Sequence, residues 1–354
     1  MKKILVTGLS SNIGGIETFF MSYYRLLKED NFKFDFITID SSIAFEDEIL
    51  NNNDRVFKLP SFKKNPIGYY RKLNKIMNEN KYDVLHANML SAANIFPLKL
   101  AKKNEIKKII AHSHNGGVPS GAVRKFLNKY NKSKIPYYAN VYLACSDLAG
   151  RWFFGENCQF HVIKNAIDVD KFAFDEVKRK KIREQLNLSD EIVIGHIGKV
   201  CEQKNHIFLL DVFEKLAKSG CKCKLLMIGN GENAEIAKHL NNNNIIKLPA
   251  QKNIEDYYNA FDLFVLPSLF EGLPVVGIEA QANGLPCLFS STITKEIKFN
   301  DNCSFIDLNC EEWVGKIEEM INKNEIHRSS KILLKKNGYS IKEEYKTLKK
   351  IYCE

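Results

Sequence analysis

Hydrophobic residues along the chain form short continuous runs that alternate with longer segments of helical spacing. The runs include "KKILVTG", "KFDFITI", "DVLHA", "KKIIAHS" and "VYLACS" in the first half, and "EIVIGHIG", "CKLLMIG", "NIIKL", "DLFVLPS" and "LPCLFS" in the second. Apolar runs of this length are typical of strands buried on both faces of a parallel sheet. Between them lie segments such as "HIFLLDVFEKLAKSG", a helical pattern that ends at Gly220. The alternation predicts parallel sheets covered by helices.

The alternation occurs twice, with a break near "VIKNAIDVDKFAF". We therefore expect an α/β protein with two doubly wound, Rossmann-like domains, at residues 1–165 and 166–338. Residues 339–354 contain a further helical pattern, which we expect to pack back toward the N-terminal domain. Ligands bind such sheets at the carboxyl ends of the strands. Two domains facing a central cleft would thus carry their chemistry on the loops that follow the strands.

Composition limits the range of partners. The formal net charge of +10 favours nucleotide phosphates, nucleic acid or an anionic membrane face. No zinc finger, recognition helix or RNP-like motif supports nucleic acid, so we expect none. Neither a signal peptide nor a run of about 18 apolar residues is visible. We expect a cytoplasmic protein, at most peripheral on the inner membrane face, whose nine scattered cysteines are reduced and buried.

Two glycine loops and a histidine pair follow predicted strands. Gly14 and Gly15 in "GLSSNIGGIETFF" precede a helix, where the backbone can approach a ligand closely. The loop is not a G-x-G-x-x-G fingerprint, and a tight turn without a ligand explains it equally well. Gly229 in "IGNGENAEI" has a similar setting. His112 and His114 in "KKIIAHSHNGG" have no evident third metal ligand, so each is either a functional residue or a hydrogen-bonded loop residue.

Two lysines follow the first strand of the second half. Lys199 and Lys204 in "IGHIGKVCEQKNH" could neutralise a diphosphate, and the adjacent Gly198 favours this over the alternative of two solvated lysines. Asp168 and Asp170 form a D-x-D pattern, which binds a divalent metal in some glycosyltransferases. Because it lies in the presumed interdomain linker, we expect no metal there.

The segment "FVLPSLFEGLPVVGIEAQANGLP" is the densest in candidate chemistry. Glu271 lies at the start of a helix, and Glu279 lies inside it, about one and a half turns past Pro274. Amides at the start of a helix hold phosphates or hydroxyls well. The amides expected to point outward there are those of Gly272, Leu273 and Val275.

These segments together resemble the retaining glycosyltransferases of family 4, which have the GT-B fold. The resemblance rests on "GGIE", "HSHN", "VIKNAIDVDKF", "GKVCEQKN", "IGNGE" and "PSLFEGLPVVGIEAQANGLP", in order along nearly the whole chain. It implies a nucleotide-sugar donor in the C-terminal domain, an acceptor in the N-terminal domain, and transfer with retention at the anomeric carbon. It also implies no cofactor and no metal, because basic residues and helix amides stabilise the diphosphate.

The resemblance also implies roles for individual residues. Lys199 and Lys204 neutralise the leaving diphosphate, Glu271 contacts sugar hydroxyls, Glu279 binds the ribose, and His114 lies near the reacting sugar. The remaining donor-binding positions that it implies are Gly14, Gly15, Gly198, Asn205, Gly229, Asn230, Ala250, Ile254, Gly272, Leu273, Pro274 and Val275.

Four positions depart from the usual family pattern. Lys199 stands where arginine is common, which loses a bidentate fork. Ala166 and Ala250 replace frequent glycines, and Asn115 replaces a frequent aspartate. None of these changes removes a charge that the proposed chemistry needs.

Basic segments in the first half bear on the acceptor. "VRKFLNKYNKSK" contains five cations and no acid, and "FKKNPIGYYRKLNKI" is similar. Such segments could lie on an anionic membrane, or they could be solvated faces of a lysine-rich protein. With the resemblance, they favour transfer from a UDP-sugar to a lipid-linked saccharide in capsule or exopolysaccharide synthesis. A soluble small-molecule acceptor and a non-catalytic GT-B subunit are the alternatives.

Overall fold

The computed structural model describes residues 2–114, 121–322, 328 and 332–354; Asn115 lies outside them. The chain divides into two units, each with its own parallel sheet. The first comprises the residues up to Ala166 together with Ile341–Glu354, and the second comprises Ile167–Ser340.

The first unit contains a seven-stranded parallel sheet in the order β3-β2-β1-β4-β5-β6-β7. Its strands are β1 (Lys3–Thr7), β2 (Lys33–Thr38), β3 (Arg55–Lys58), β4 (Val84–Met89), β5 (Lys108–Ser113), β6 (Val141–Ala144) and β7 (His161–Val162). Its helices include α1 (Gly15–Glu29), α2 (Glu46–Asn51), α3 (Pro66–Asn80), α4 (Phe96–Lys103), α5 (Ala122–Lys132), α6 (Ile135–Tyr138) and α7 (Asp147–Phe154). The strand order reverses between β1 and β4, as in a doubly wound sheet.

The second unit contains a six-stranded parallel sheet in the order β10-β9-β8-β11-β12-β13, which reverses between β8 and β11. Its strands are β8 (Ile192–Ile197), β9 (Cys223–Ile228), β10 (Ile245–Leu248), β11 (Leu263–Leu266), β12 (Cys287–Ser290) and β13 (Cys303–Ile306). Its helices are α8 (Glu176–Gln185), α9 (His206–Lys218), α10 (Ala234–His239), α11 (Ile254–Tyr257), α12 (Val275–Ala282), α13 (Cys310–Asn322) and α14 (Ile332–Lys336). The predicted pair of Rossmann-like parallel sheets is thus confirmed.

Each sheet has a hydrophobic core on both faces. Ile4 and Val6 of β1 belong to one core of the first unit, and Leu5 between them belongs to the other. Successive side chains of a strand point to opposite faces, so a strand covered on both sides is mainly apolar on both faces instead of on alternate positions. This explains why continuous runs, rather than alternating ones, predicted the inner strands. The edge strands β3, β7 and β13 correspond to none of the runs named above.

The last helix, α15 (Ile341–Cys353), belongs to the first unit. Its apolar side chains Leu348, Ile351 and Tyr352 are buried in the same core as α1. The amide of Lys164 donates to the Glu344 carboxylate at 3.3 Å. The helix therefore completes one face of the first sheet.

The nine cysteines are all free thiols. Cys223, Cys287 and Cys303 are buried, but Cys201 and Cys353 are exposed. The expectation of uniformly buried cysteines is wrong for these two, because Cys201 lies in a surface loop and Cys353 lies at the end of α15.

Candidate functional site

The carboxyl edge of the second sheet gathers the predicted donor-binding residues. These residues follow four of its strands or lie in the helix after β11. They are Gly198, Lys199, Lys204 and Asn205 after β8, Gly229 and Asn230 after β9, Ala250 and Ile254 after β10, and Glu271, Gly272, Leu273, Pro274, Val275 and Glu279 after β11.

The Glu271 carboxylate is held by three side chains. Lys204 Nζ lies 2.6 Å from Oε1, Ser268 Oγ donates to Oε1 at 2.8 Å, and Gln203 Nε2 donates to Oε2 at 3.2 Å. The Lys204 and Glu271 side chains are only 16% and 9% exposed, so water screens this pair weakly. The two residues that the sequence assigned to separate tasks therefore form one partly buried ion pair.

Backbone hydrogen bonds join the loop after β8 to the loop after β11. The Leu269 amide donates to the Gln203 carbonyl at 2.8 Å, and Gln203 Nε2 donates to the Phe270 carbonyl at 2.9 Å. Strands β8 and β11 are neighbours at the reversal of strand order, where doubly wound sheets bind their ligands. The Lys204–Glu271 pair therefore lies at that reversal, on two loops that are hydrogen-bonded to each other.

Close backbone approach joins the loops after β9 and β10 to the loop after β8. Gly229 has φ +156°, and a Cβ there would lie 2.0 Å from the Gly198 carbonyl oxygen, so only glycine fits. Asn230 accepts from the Val200 amide through its carbonyl and from the Ala250 amide through Oδ1, both at 2.8 Å. The loops after β8, β9 and β10 thus form one surface. Packing against the Gly198 carbonyl requires glycine at position 229.

Two buried histidines lie beside the Gly198 loop, and sequence reasoning missed both as site residues. His196 Nδ1 donates to the Val265 carbonyl at 3.0 Å, and its ring meets that of His206 edge-on at 4.7 Å. Burial lowers the pKa of His206 to about 4, although its hydrogen bond to the Gly198 backbone acts in the opposite direction. His206 is therefore neutral at pH 7 and holds the glycine loop. Its place at the start of α9, directly after "EQKN", is the signal that could have found it.

Lys199 has a different environment from Lys204. Its side chain is exposed, and it makes no hydrogen bond or ion pair with any residue that the structure describes. Asn205, with φ +54°, turns the backbone between the short helical turn of Glu202–Lys204 and α9. Lys199 is thus available to an incoming anion, whereas Lys204 is already paired.

The start of α12 presents backbone amides. Val275 is the first residue of the helix and Pro274 is its N-cap, so the amides of Val275 and Val276 have no acceptor within the helix. Gly272 is exposed, and a Cβ there would meet open space. This helix end can accept an anion or a hydroxyl group.

Glu279 is buried within α12. It is 7% exposed and accepts a hydrogen bond from the Tyr258 hydroxyl to Oε2 at 2.7 Å. Burial raises the pKa of Glu279 to about 7, even though Tyr258 and Lys171 favour its ionised form. The carboxyl is thus poised between its two protonation states near neutrality. Tyr258 lies outside every motif of the sequence, and no local signal marks it.

The first unit brings Gly14, Gly15 and His114 to the carboxyl edge of its sheet. Gly14 is the N-cap of α1, and its amide donates to the buried Glu17 carboxylate at 3.2 Å, whereas Gly15 is exposed. His114 Nε2 lies 2.8 Å from Asn88 Oδ1, and its ring packs edge-on to Phe19 of α1. Burial lowers the pKa of His114 to about 3, so its imidazole is neutral at pH 7.

The D-x-D carboxylates are used within the chain itself. Asp168 Oδ1 accepts from the amides of Asp170 and Lys171 at 3.1 and 3.2 Å, and Asp170 pairs with Lys335 at 3.0 Å. Within the described part of the chain, no group of three or more His, Cys, Asp or Glu side chains is arranged to hold a metal ion.

Comparisons with known proteins show the family to which the chain belongs. Residues 13–171 match the family model described as Glycosyltransferase Family 4, and residues 191–323 match the model described as Glycosyl transferases group 1. The chain is 31% identical over 316 residues to "Putative glycosyltransferase EpsF" of Bacillus subtilis, covering 84% of this chain and 81% of that protein.

Two further comparisons extend over nearly the whole chain. The UDP-Gal:alpha-D-GlcNAc-diphosphoundecaprenol alpha-1,3-galactosyltransferase of Escherichia coli is 23% identical, covering 99% of this chain and 97% of that enzyme. The crystal structure of Anabaena HepE in complex with UDP and glucose is similar with a TM-score of 0.79 at 17% identity, covering 99% of each chain.

The two doubly wound units, whose fold is similar to that of HepE, have the GT-B architecture. The chain belongs to the family 4 glycosyltransferases. The resemblance stated from its motifs is thereby confirmed.

Proposed function

We propose that the protein is a retaining glycosyltransferase that moves a sugar from a UDP-sugar to a lipid-linked saccharide during cell-surface polysaccharide synthesis. The observation that carries the proposal is the partly buried Lys204–Glu271 pair at the strand reversal of the second sheet. The UDP and glucose bound by HepE support the donor class. The diphosphoundecaprenol in the name of the E. coli enzyme supports the acceptor class.

Breaking the bond at the anomeric carbon builds negative charge on the leaving diphosphate. Cations and amides fixed at that place stabilise the transition state more than the ground state. The Lys204 ammonium has three N–H donors, so it can contact a phosphate while it keeps Glu271. Exposed Lys199 would add a second cation, and the first amides of α12 would bind the diphosphate or the sugar.

Glu271 and Glu279 would read the hydroxyl groups of the donor. Ser268 and Gln203 hold the Glu271 carboxylate in one orientation. It is therefore preorganised to accept hydrogen bonds from sugar hydroxyl groups. Glu279 would accept from the ribose hydroxyls beside Tyr258. Hydrogen bonds from ribose hydroxyl groups favour the ionised carboxylate. Binding of the nucleotide-sugar would therefore lower the raised pKa of Glu279.

The loop after β10 would line the nucleotide base. The Ala250 amide is fixed by Asn230, and Ile254 begins α11 and packs against the core of the second unit. These contacts give the loop a defined position beside the loops that contain Gly198 and Gly229. Apolar side chains such as Ile254 together with a few backbone polar groups suit a planar heterocycle.

In the first unit, His114 would contact the reacting sugar as a neutral imidazole. Asn88 Nδ2 donates to the Thr7 carbonyl at 3.1 Å, so Asn88 Oδ1 is the acceptor and His114 Nε2–H donates to it. His114 Nδ1 is then left as an acceptor for a sugar hydroxyl. Gly15, which is exposed at the start of α1, would approach the phosphates.

We propose that transfer needs no metal, because the lysines and amides above supply the positive charge. The engagement of Asp168 in a turn and of Asp170 with Lys335 supports this. Turnover should be the same with excess EDTA as with added Mg²⁺ or Mn²⁺. Loss of turnover in EDTA that Mg²⁺ restores would contradict the proposal.

Nuclear magnetic resonance of the product tests retention. The new glycosidic bond should have the anomeric configuration of the donor sugar.

Helix α5 supports contact with an anionic membrane. Val123, Phe126 and Tyr130 are 73%, 68% and 55% exposed, and the last two rings are parallel on successive turns. Arg124, Lys125 and Lys129 lie on the same helix, which contains no acid. Exposed aromatic residues beside cations are typical of helices that lie in the headgroup region. No helix within the described residues is long and apolar enough to cross a membrane.

Liposome flotation tests this membrane contact. Wild-type protein should float with vesicles that contain phosphatidylglycerol and should not float with phosphatidylcholine alone. Phe126→Ser with Tyr130→Ser should weaken flotation, whereas the control Val177→Ser, at an equally exposed apolar position of α8, should not. Equal and negligible flotation with both vesicle types would contradict the membrane contact and favour a soluble acceptor.

A nucleotide-sugar panel tests the donor. A ligand that binds the native state raises the melting temperature by an amount set by its concentration and Kd. UDP and UDP-sugars should raise it, and Lys204→Ala should abolish most of that rise. A rise with GDP- or ADP-sugars alone would change the base assignment. No rise with any nucleotide would favour a non-catalytic GT-B subunit.

A further inference from the structure

A buried chain of side chains connects the C-terminal helix to His114 in the first unit. The Tyr352 hydroxyl lies 2.6 Å from His86 Nδ1, and His86 Nε2 lies 3.0 Å from His112 Nδ1. Tyr352, His86 and His112 are each 0% exposed. The His112 ring lies under the His114 ring with centroids 4.1 Å apart and an interplanar angle of 33°.

Strand register and α1 fix the rings of this chain. Asn88 of β4 is opposite His112 of β5, so His86 and His112 lie on the same face of adjacent strands. Phe20 meets the His86 ring edge-on at 5.3 Å, and Phe19 meets the His112 ring edge-on at 5.2 Å. Side chains in such a close-packed core cannot rotate without displacing their neighbours.

The hydroxyl of Tyr352 determines how protons are placed along the chain. Burial raises the pKa of Tyr352 and lowers the pKa of both histidines, so all three groups are neutral. Among the described residues, His86 Nδ1 is the one hydrogen-bond partner of the hydroxyl. If the hydroxyl donates to it, the O–H proton has an acceptor, whereas the reverse direction leaves that proton unpaired in the core. His86 then carries its proton on Nε2 and donates to His112 Nδ1. Because His112 Nδ1 accepts that hydrogen bond, His112 carries its proton on Nε2. This atom is buried and has no partner in the described part of the chain.

We propose that Tyr352 is a positioning residue for His114, acting through His86 and His112. Without the hydroxyl, His86 Nδ1 would be buried and unpaired, which favours a flipped ring or the other tautomer. Either change would alter the hydrogen bond to His112 and hence the ring on which His114 is stacked. The C-terminal helix would thus orient the residue assigned to the reacting sugar. This inference rests on the proposed function, because it deepens the role given to His114.

Nitrogen chemical shifts of the imidazoles test the chain without any activity assay. Full-length protein labelled with ¹⁵N-histidine is compared with Tyr352→Phe and with Tyr345→Phe, a matched control on the same helix. Wild-type His86, His112 and His114 should each be neutral and protonated on Nε2 at pH 7. Tyr352→Phe should change the His112 and His114 signals, although Tyr352 contacts neither ring, and Tyr345→Phe should leave them unchanged.

Two results would overturn the inference. One is a wild-type spectrum with His86 or His112 protonated on Nδ1, which is decisive even if a variant fails to fold. The other is a folded Tyr352→Phe protein with unchanged His112 and His114 signals.

Kinetics separate this inference from the proposed function. Tyr352→Phe should lower kcat roughly tenfold and leave the donor KM within about twofold, since small displacements beside reacting atoms are costly. Full kcat in Tyr352→Phe, with an inactive His114→Ala, would overturn the inference. Full kcat in His114→Ala would instead contradict the proposed role of His114, and the spectra would still report on the chain.

Discussion

Glu279→Gln should make the protein more stable and its donor binding weaker. The substitution keeps the size and shape of the side chain and removes its charge. Burial raises the pKa of Glu279 from its ordinary 4.5 to about 7, so the folded state binds the proton more tightly than the unfolded chain does. Stability from this group is therefore greatest in acid and is lost as pH rises from about 4.5 to about 7.

The size of the effect follows from that pKa. Above pH 7, ionised Glu279 should cost the folded state about 3 kcal/mol relative to acid. Glutamine has no such cost and can still accept the hydrogen bond from Tyr258. The stability of Glu279→Gln relative to the wild type should therefore increase by about 2 to 3 kcal/mol between pH 4.5 and pH 8.

Urea unfolding at the two pH values measures this difference. Trp313 is buried in the core of the second unit, so its fluorescence in a Trp152→Phe background reports on that unit. Glu296→Gln, at an exposed position of the same unit, is the control and should show no pH-dependent gain. At pH 8, titration calorimetry should show weaker UDP binding by Glu279→Gln, because an amide accepts hydroxyl hydrogen bonds less strongly than a carboxylate. An equal stability difference at both pH values would refute the reasoning about burial, and unchanged UDP affinity would remove Glu279 from the nucleotide site.

Three further predictions follow from the second unit. Glu271→Ala should lower kcat at least about a hundredfold, as for other electrostatic groups in dry sites, and near-normal turnover would exclude it from the site. Lys204→Ala should weaken UDP binding about tenfold or more in calorimetry, and unchanged affinity would contradict the diphosphate assignment. Gly229→Ala should lower the melting temperature strongly because its Cβ would clash with Gly198, whereas Gly272→Ala, which meets open space, should not; equal melting temperatures would contradict the packing argument.

The sequence predicted the parts of the fold that depend on local pattern. Continuous apolar runs predicted the strands except the edge strands β3, β7 and β13, and most motif residues fell on the loops that follow the predicted strands. Such patterns record whether a position is buried, because both faces of each sheet are covered. They also placed Lys204 and Glu271 at the same sheet edge, although not in contact with each other.

Contacts between distant residues were beyond the reach of local pattern. Tyr258 meets Glu279 across 21 positions, and Tyr352 meets His86 across 266. The first depends on how the short helical turn after α11 packs against α12, and the second on how α15 packs against the first sheet. No local spacing specifies either. His86 lies in an apolar run and has the same pattern as any core residue, so its polar partners appear only in three dimensions.

Transfer itself tests the central claim most directly. Purified protein is incubated with the UDP-sugar that stabilises it and with a lipid-linked saccharide, and both products are measured by mass spectrometry. The account predicts that one UDP is released for each sugar added to the lipid-linked saccharide. It also predicts that Glu271→Ala forms neither product. Absence of UDP release and of any glycosylated product, with every donor and acceptor that binds, would contradict it.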